Sequence, residues 1–147
     1  MQQLAQDVLK VFEPQPEATY DIPAVRVKPE DIVNVCRTLK EEPRLSFKLL
    51  LCLAGVDYRE HFQIVYVLLS LEHEHKLVVK TNVPQDNPHL PTVTSVWRGA
   101  DWYEREAHDL FGVVFDGHPN LKPLILYEGF EGYPGRKEHP FHDYQEF

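Results

Sequence analysis

Thiols are scarce in this chain: Cys36 and Cys52 are the only cysteines among 147 residues. They form no CxxC pair, whereas zinc ribbons and iron–sulfur sites need about four thiolates or a Cys/His mixture at short spacing. Both sit in apolar surroundings and read as ordinary buried thiols of a reducing compartment. GxGxxG, Walker A, GxSxG and HExxH are missing too. Their absence counts against nucleotide binding, hydride transfer and nucleophilic hydrolysis. The longest apolar runs, Leu49–Val56 and Ile64–Leu69, fall far below the roughly 20 residues of a membrane helix. The opening MQQLAQDVLK lacks the basic and apolar regions of a secretory signal. Positive charge is in deficit: 15 Lys and Arg against 23 Asp and Glu leave a net charge of -8. That speaks against nucleic acid and against an anionic membrane surface. The expectation is a soluble chain whose contact with any membrane is indirect.

What is present suits one domain, or one domain plus an arm. Hydrophobic residues make up 43% of the chain, enough for a core in the first hundred residues. Leu4, Val8, Val11 and Phe12 repeat at helical spacing until Pro14 and Pro16 stop the pattern. Ala24–Lys28 is a short strand candidate. Pro29 suits a first helical position, with Glu30 and Asp31 in the first turn. Ile32, Val35, Cys36 and Leu39 then mark one helical face that Pro43 ends. Phe47–Val56 and Phe62–Leu71 are strong strand signals joined by a hairpin-length link, and Lys76–Asn82 is a third. Consecutive pairing predicts an α+β fold of two layers: a mainly antiparallel sheet with helices on one face. A short helix from Thr92 or Thr94 through Trp97 is expected before Gly99. A helix over Asp101–Phe111 follows, ending at Gly112, and Val113–Phe115 adds a short strand. Residues 1–115 thus form the domain, and 116–147 an extended arm.

The helix carries Glu104, Arg105, Glu106, His108 and Asp109. At about 100° per residue, Tyr103, Ala107, Leu110 and Phe111 form one apolar arc, with Glu104 and Glu106 on opposite flanks. These two carboxylates do not converge as a general acid/base pair must. Glu104 and His108 are i, i+4 neighbours, as are Arg105 and Asp109. Such pairs suit a charged subunit interface or a solvated face better than a stand-alone enzyme using Glu104 and His108. His73-Glu74-His75 reads as a polar hairpin link rather than a metal site. His118-Pro119 reads as a turn element, and His118, His139 and His142 lack metal-ligand spacing. The arm is broken by Gly117, Pro119, Pro123, Gly129, Gly132, Pro134, Gly135 and Pro140. Leu124, Ile125, Leu126, Tyr127, Phe130, Tyr133 and Phe141 make it too apolar for a solvated tail.

Glu104-Arg105-Glu106, Asp109-Leu110-Phe111-Gly112, Gly117-His118-Pro119 and Gly129-Phe130-Glu131-Gly132, with Pro134 and Arg136-Lys137, carry a resemblance to the C subunit of respiratory complex I. It is specific over about Trp97–Pro140; upstream only the element order fits. Lys122-Pro123 stands where many relatives have two basic residues. Related subunits occur in energy-converting membrane-bound hydrogenases, in chloroplast-type complex I and in the archaeal dehydrogenase of reduced deazaflavin (F₄₂₀H₂). The resemblance implies a cofactor-free accessory subunit of the hydrophilic arm of NADH:quinone oxidoreductase. Iron–sulfur clusters, and FMN where present, would be carried by other subunits. It implies D-like and B-like partner subunits and a peripheral place on the cytoplasmic side of the membrane, or the matrix or stromal side in an organelle. It implies no catalytic, metal or cofactor ligand in this chain. The interface residues would be Glu104, Arg105, Glu106, Asp109, His118, Phe130, Glu131, Tyr133, Arg136 and Lys137, with the arm's apolar anchors on the D-like subunit.

Overall fold

The computed structural model describes residues 2–17 and 21–140. Phe141, His142 and the rest of the expected arm beyond Pro140 lie outside them. The elements are α1 (Gln2–Val8), β1 (Gln15–Glu17), β2 (Ala24–Arg26), α2 (Ile32–Glu41), β3 (Leu49–Asp57), β4 (His61–Ser70), β5 (His75–Pro84), β6 (His89–Pro91), α3 (Ala100–Phe111) and β7 (Val114–Asp116). β1-β2-β5-β4-β3 form one sheet, and β6-β7 form a second, two-stranded one. All neighbours in the larger sheet are antiparallel except β2 and β5, which run parallel. The expected α+β architecture is present.

Alternation on β4 decides which face is covered. Phe62, Ile64, Tyr66 and Leu68 are buried, and they pair with the buried Val83, Thr81, Val79 and Leu77 of β5. These side chains meet Val35, Cys36 and Leu39 of α2 and Ala107 and Phe111 of α3 in one core. Each fully buried aliphatic or aromatic side chain contributes roughly 1.5–3 kcal/mol. The opposite face carries Cys52, Ala54, Val56, Val65, Val67 and Leu69, which are half-buried or exposed.

Several local expectations change. The first helix stops at Val8, and a 3₁₀ turn at Lys10–Phe12 leads to Glu13 in the left-handed region at φ 51°. Pro16 sits in edge strand β1, where the missing N–H costs no ladder bond. Residues 92–97 form no helix. The N–H groups of Val96 and Trp97 both donate to the carbonyl of Val93, a turn that the Trp97 indole pins by donating to the Phe47 carbonyl at 3.2 Å. α3 lies close on β3 because Gly55 leaves room: a Cβ there would stand 2.8 Å from the Phe111 ring.

Candidate interaction face

α3 is the element on which the candidate residues are hung. It ends at Gly112, whose φ of 78° allows its N–H to cap the His108 carbonyl. A Cβ at Gly112 would meet the Tyr133 ring at 2.8 Å, so the helix end and the arm are in close contact. The i, i+4 pairs expected along α3 are not formed. His108 Nδ1 donates to the Val113 carbonyl at 2.8 Å. Glu104 is fully buried and accepts from the Val93 N–H at 2.8 Å and lies 2.5 Å from the Thr92 hydroxyl. Arg105 and Asp109 do not bond each other; each bonds the arm.

The arm runs over its own domain. Arg105 donates to the carbonyls of Lys122 and Pro123, each at 3.0 Å. Asp109 Oδ2 accepts the N–H groups of Leu124, Ile125 and Leu126 at 2.7, 2.9 and 3.4 Å. A segment without helix or strand thereby finds partners for three consecutive backbone donors. Farther along, the Gly135 N–H donates to the Leu110 carbonyl at 2.8 Å. Arg136 Nε donates to the Phe111 carbonyl at 2.8 Å, completing the C-terminal end of α3. Its guanidinium lies over the rings of Tyr133 and Phe62, 4.6 and 5.1 Å from the centroids. The Lys137 N–H donates to Asp57 Oδ2 at 2.9 Å. Burial pushes the Asp57 carboxyl up, but the N–H donors of Lys137 and Arg59, with Lys137 and Arg136 charges nearby, hold it below its ordinary value.

The expected site residues divide accordingly. Arg105, Asp109, Arg136 and the Lys137 backbone fasten the arm, while Glu104 and His118 lie inside the chain. His118 is more than a turn element. Its side chain is 0% exposed, its Nε2 stands 2.9 Å from Asp101 Oδ1, and its Nδ1 accepts the Asn120 N–H at 2.9 Å. Phe130 is half-buried between Tyr127 and His139, with ring centroids 5.2 and 6.1 Å away. Glu106 and Glu131 are exposed. Of the apolar anchors, Leu124 and Leu126 are half-buried, whereas Ile125 is 58% and Tyr127 71% exposed. Tyr133 is also exposed, as is Trp102 on α3. Asp57 and Thr92 escaped the sequence reading. Asp57 meets Lys137 across 80 positions, and nothing local in the chain signals that pairing.

Among the described residues no group of three or more His, Cys, Asp or Glu side chains is placed to hold a metal ion. His73 in the β4–β5 turn and His75 at the start of β5 stack at 5.6 Å, and His73 Nε2 donates to the Pro43 carbonyl. No helix among the described residues is long and apolar enough to cross a membrane.

Fold and face define a class first: a small α+β protein that straps an ordered, side-chain-bearing arm across the end of one helix. Residues 25–145 match the family described as the respiratory-chain NADH dehydrogenase 30 Kd subunit, and the chain belongs to that family. It is 45% identical over 132 residues to the NADH-quinone oxidoreductase C 2 subunit of Rhizobium meliloti (strain 1021), covering 88% of this chain and 72% of that protein. It is 45% identical to the C subunit of the same enzyme from Roseiflexus castenholzii (strain DSM 13941 / HLO8), covering 80% and 69%. The structure resembles a chain of the membrane-bound sulfane sulfur reductase, an archaeal respiratory membrane complex. The TM-score is 0.78 at 27% identity, over 94% of this chain and 84% of that one. It also resembles a trypsin-resistant fragment of Nqo5, with a TM-score of 0.67 at 29% identity over 82% of this chain and all of the fragment.

Proposed function

We propose that this chain is an accessory subunit of NADH:quinone oxidoreductase that carries no cofactor and performs no chemistry itself. It sits in the hydrophilic arm against the D-like and B-like subunits, on the cytoplasmic side of the membrane or its organellar equivalent. There it supports electron transfer to quinone, coupled to proton translocation, by holding neighbours in place. Iron–sulfur clusters and FMN belong to other subunits. The relatives named as C subunits of that enzyme support this reading. The likeness to a chain of the sulfane sulfur reductase supports an equivalent place for such subunits in related respiratory membrane complexes.

One observation carries the proposal. The arm is held through its backbone by Arg105, Asp109 and Asp57 and through the arm's own Arg136 side chain on the Phe111 carbonyl, while Ile125 and Tyr127 point outward from it. A strap already ordered before binding loses less entropy on docking than a free tail. Large side chains facing water on such a strap suit the centre of a protein interface. The test is Ile125→Asp combined with Tyr127→Asp. The isolated chain should keep its melting temperature, and the complex should assemble at a fraction of the wild-type yield. Normal assembly with both substitutions in place would remove the strap from the interface.

A further inference from the structure

Glu104 is a buried carboxyl that the proposed interface leaves unused. Every element packed around it contributes a titratable or polar group. Asp101 comes from its own helix, and His118 from the turn after β7. Cys36 of α2 and Tyr66 of β4 lie within electrostatic reach, and Thr92 and the Val93 N–H come from the connection after β6. None of these is a cation. His118 Nδ1 accepts the Asn120 N–H, so the ring proton sits on Nε2, which donates to the Asp101 backbone carbonyl at 3.1 Å and leaves the imidazole neutral. Its Nε2 is 3.9 Å from Glu104 Oε2, beyond hydrogen-bond reach. Among the described residues no lysine or arginine pairs with Glu104.

The Thr92 hydroxyl has one proton and two oxygen neighbours, Glu104 Oε2 at 2.5 Å and Thr94 Oγ1 at 3.0 Å. Both protonation states of Glu104 are therefore satisfied. With the carboxylate ionised, Thr94 O–H donates to Thr92 and Thr92 O–H donates to Oε2. With the carboxyl protonated, Oε2–H donates to Thr92 and Thr92 O–H donates to Thr94. The Val93 N–H donates to Oε1 in either case.

We propose that Glu104 is a proton-binding site, reached from solvent through the hydroxyls of Thr92 and Thr94, whose occupancy sets how firmly α3 holds the connection after β6. On proton loss, Oε2–H passes its proton to Thr92, Thr92 passes its own to Thr94, and half-buried Thr94 releases one to water. One proton leaves and the hydroxyl chain reverses. Burial pushes the Glu104 carboxyl up to about 7, the bonds from Thr92 and Val93 pull it down, and Asp101 pushes it up. The unfolded chain has the ordinary 4.5, so the folded chain binds this proton more tightly. The stabilisation is complete below the ordinary value and is lost as pH rises through about 7.

The test uses the whole chain, wild type against Glu104→Gln, which mimics the loaded state by donating from its amide to Thr92. A carboxyl carbon-13 resonance absent from the variant should titrate with a midpoint near 7, within one unit. At pH 8 the variant should be more stable than wild type, on the order of 100-fold in the unfolding equilibrium constant, and the gap should close towards pH 5. A midpoint below 5, or a variant less stable than wild type at pH 8, overturns the proposal. Thr92→Val keeps the carboxyl but removes the path, and should slow proton exchange at Glu104. Unchanged exchange rates overturn the route through Thr92.

Discussion

Asp109 shows how one carboxylate can order a segment that forms neither helix nor strand. It is 4% exposed and takes three backbone N–H groups on one oxygen. Hydrogen bonds to a charged group contribute about 1.5–3 kcal/mol net. Asp109→Ala should therefore lower unfolding free energy by about 2 kcal/mol and speed amide exchange at Leu124, Ile125 and Leu126. Asp109→Asn, which keeps an acceptor oxygen, should lose less. Unchanged exchange at those amides in the alanine variant would sink this assignment. Gly112 has an equally local role: at φ 78° an alanine would be strained, and its Cβ would enter the Tyr133 ring. A left-handed alanine costs about 1–2 kcal/mol, so Gly112→Ala should lower stability by at least that and displace Tyr133, visible in near-ultraviolet circular dichroism.

At the scale of elements, the arm and α3 stabilise each other. The last carbonyls of a helix need donors from outside it. Those of Leu110 and Phe111 receive them from Gly135 and Arg136. The amides that fasten the arm should therefore be protected from hydrogen exchange in the free chain, against the sequence-based expectation that the arm's apolar anchors lie on the D-like subunit. Lys137 supplies an acid-sensitive end to this strap. Its N–H donor, with that of Arg59, holds the Asp57 carboxyl below the ordinary 3.8 against the effect of burial. A depressed carboxyl contributes stability above its unfolded value and loses it as pH falls through its folded value. Lys137 amide protection should thus persist at pH 5 and be lost only as pH falls below the ordinary 3.8, while Asp57→Asn should weaken it at neutral pH. Equal protection at pH 5 and pH 2 would mean that Asp57 does not hold the strap.

At the scale of the molecule, the chain has a fastened inner layer and an unsatisfied outer one. Ile125, Tyr127 and Trp102 are exposed on the arm and on α3. Trp102→Ala removes a large apolar surface without touching the core. It should leave the melting temperature of the isolated chain within about 1 °C of wild type and weaken assembly measured by co-purification with the proposed D-like partner. Full co-purification would place Trp102 outside the interface.

Local pattern by itself determined the class of fold. Proline and glycine punctuation bounded α2 and α3, and apolar runs separated by short polar links marked β3, β4 and β5, because these signals are a property of neighbouring residues. The motifs from Glu104 to Lys137 carried the family. The roles of those same charges lay beyond the sequence. Spacing suggested that Glu104 pairs with His108 and Arg105 with Asp109, yet each found a stronger partner elsewhere. Asp109 faces three N–H groups 15 to 17 positions away, and Asp57 meets Lys137 across 80. Helix geometry alone permits i, i+4 contacts. The fold decided against them by bringing up backbone N–H groups to Glu104 and Asp109 and backbone carbonyls to Arg105 and His108, and leaving such groups buried without a partner costs more than an exposed ion pair contributes.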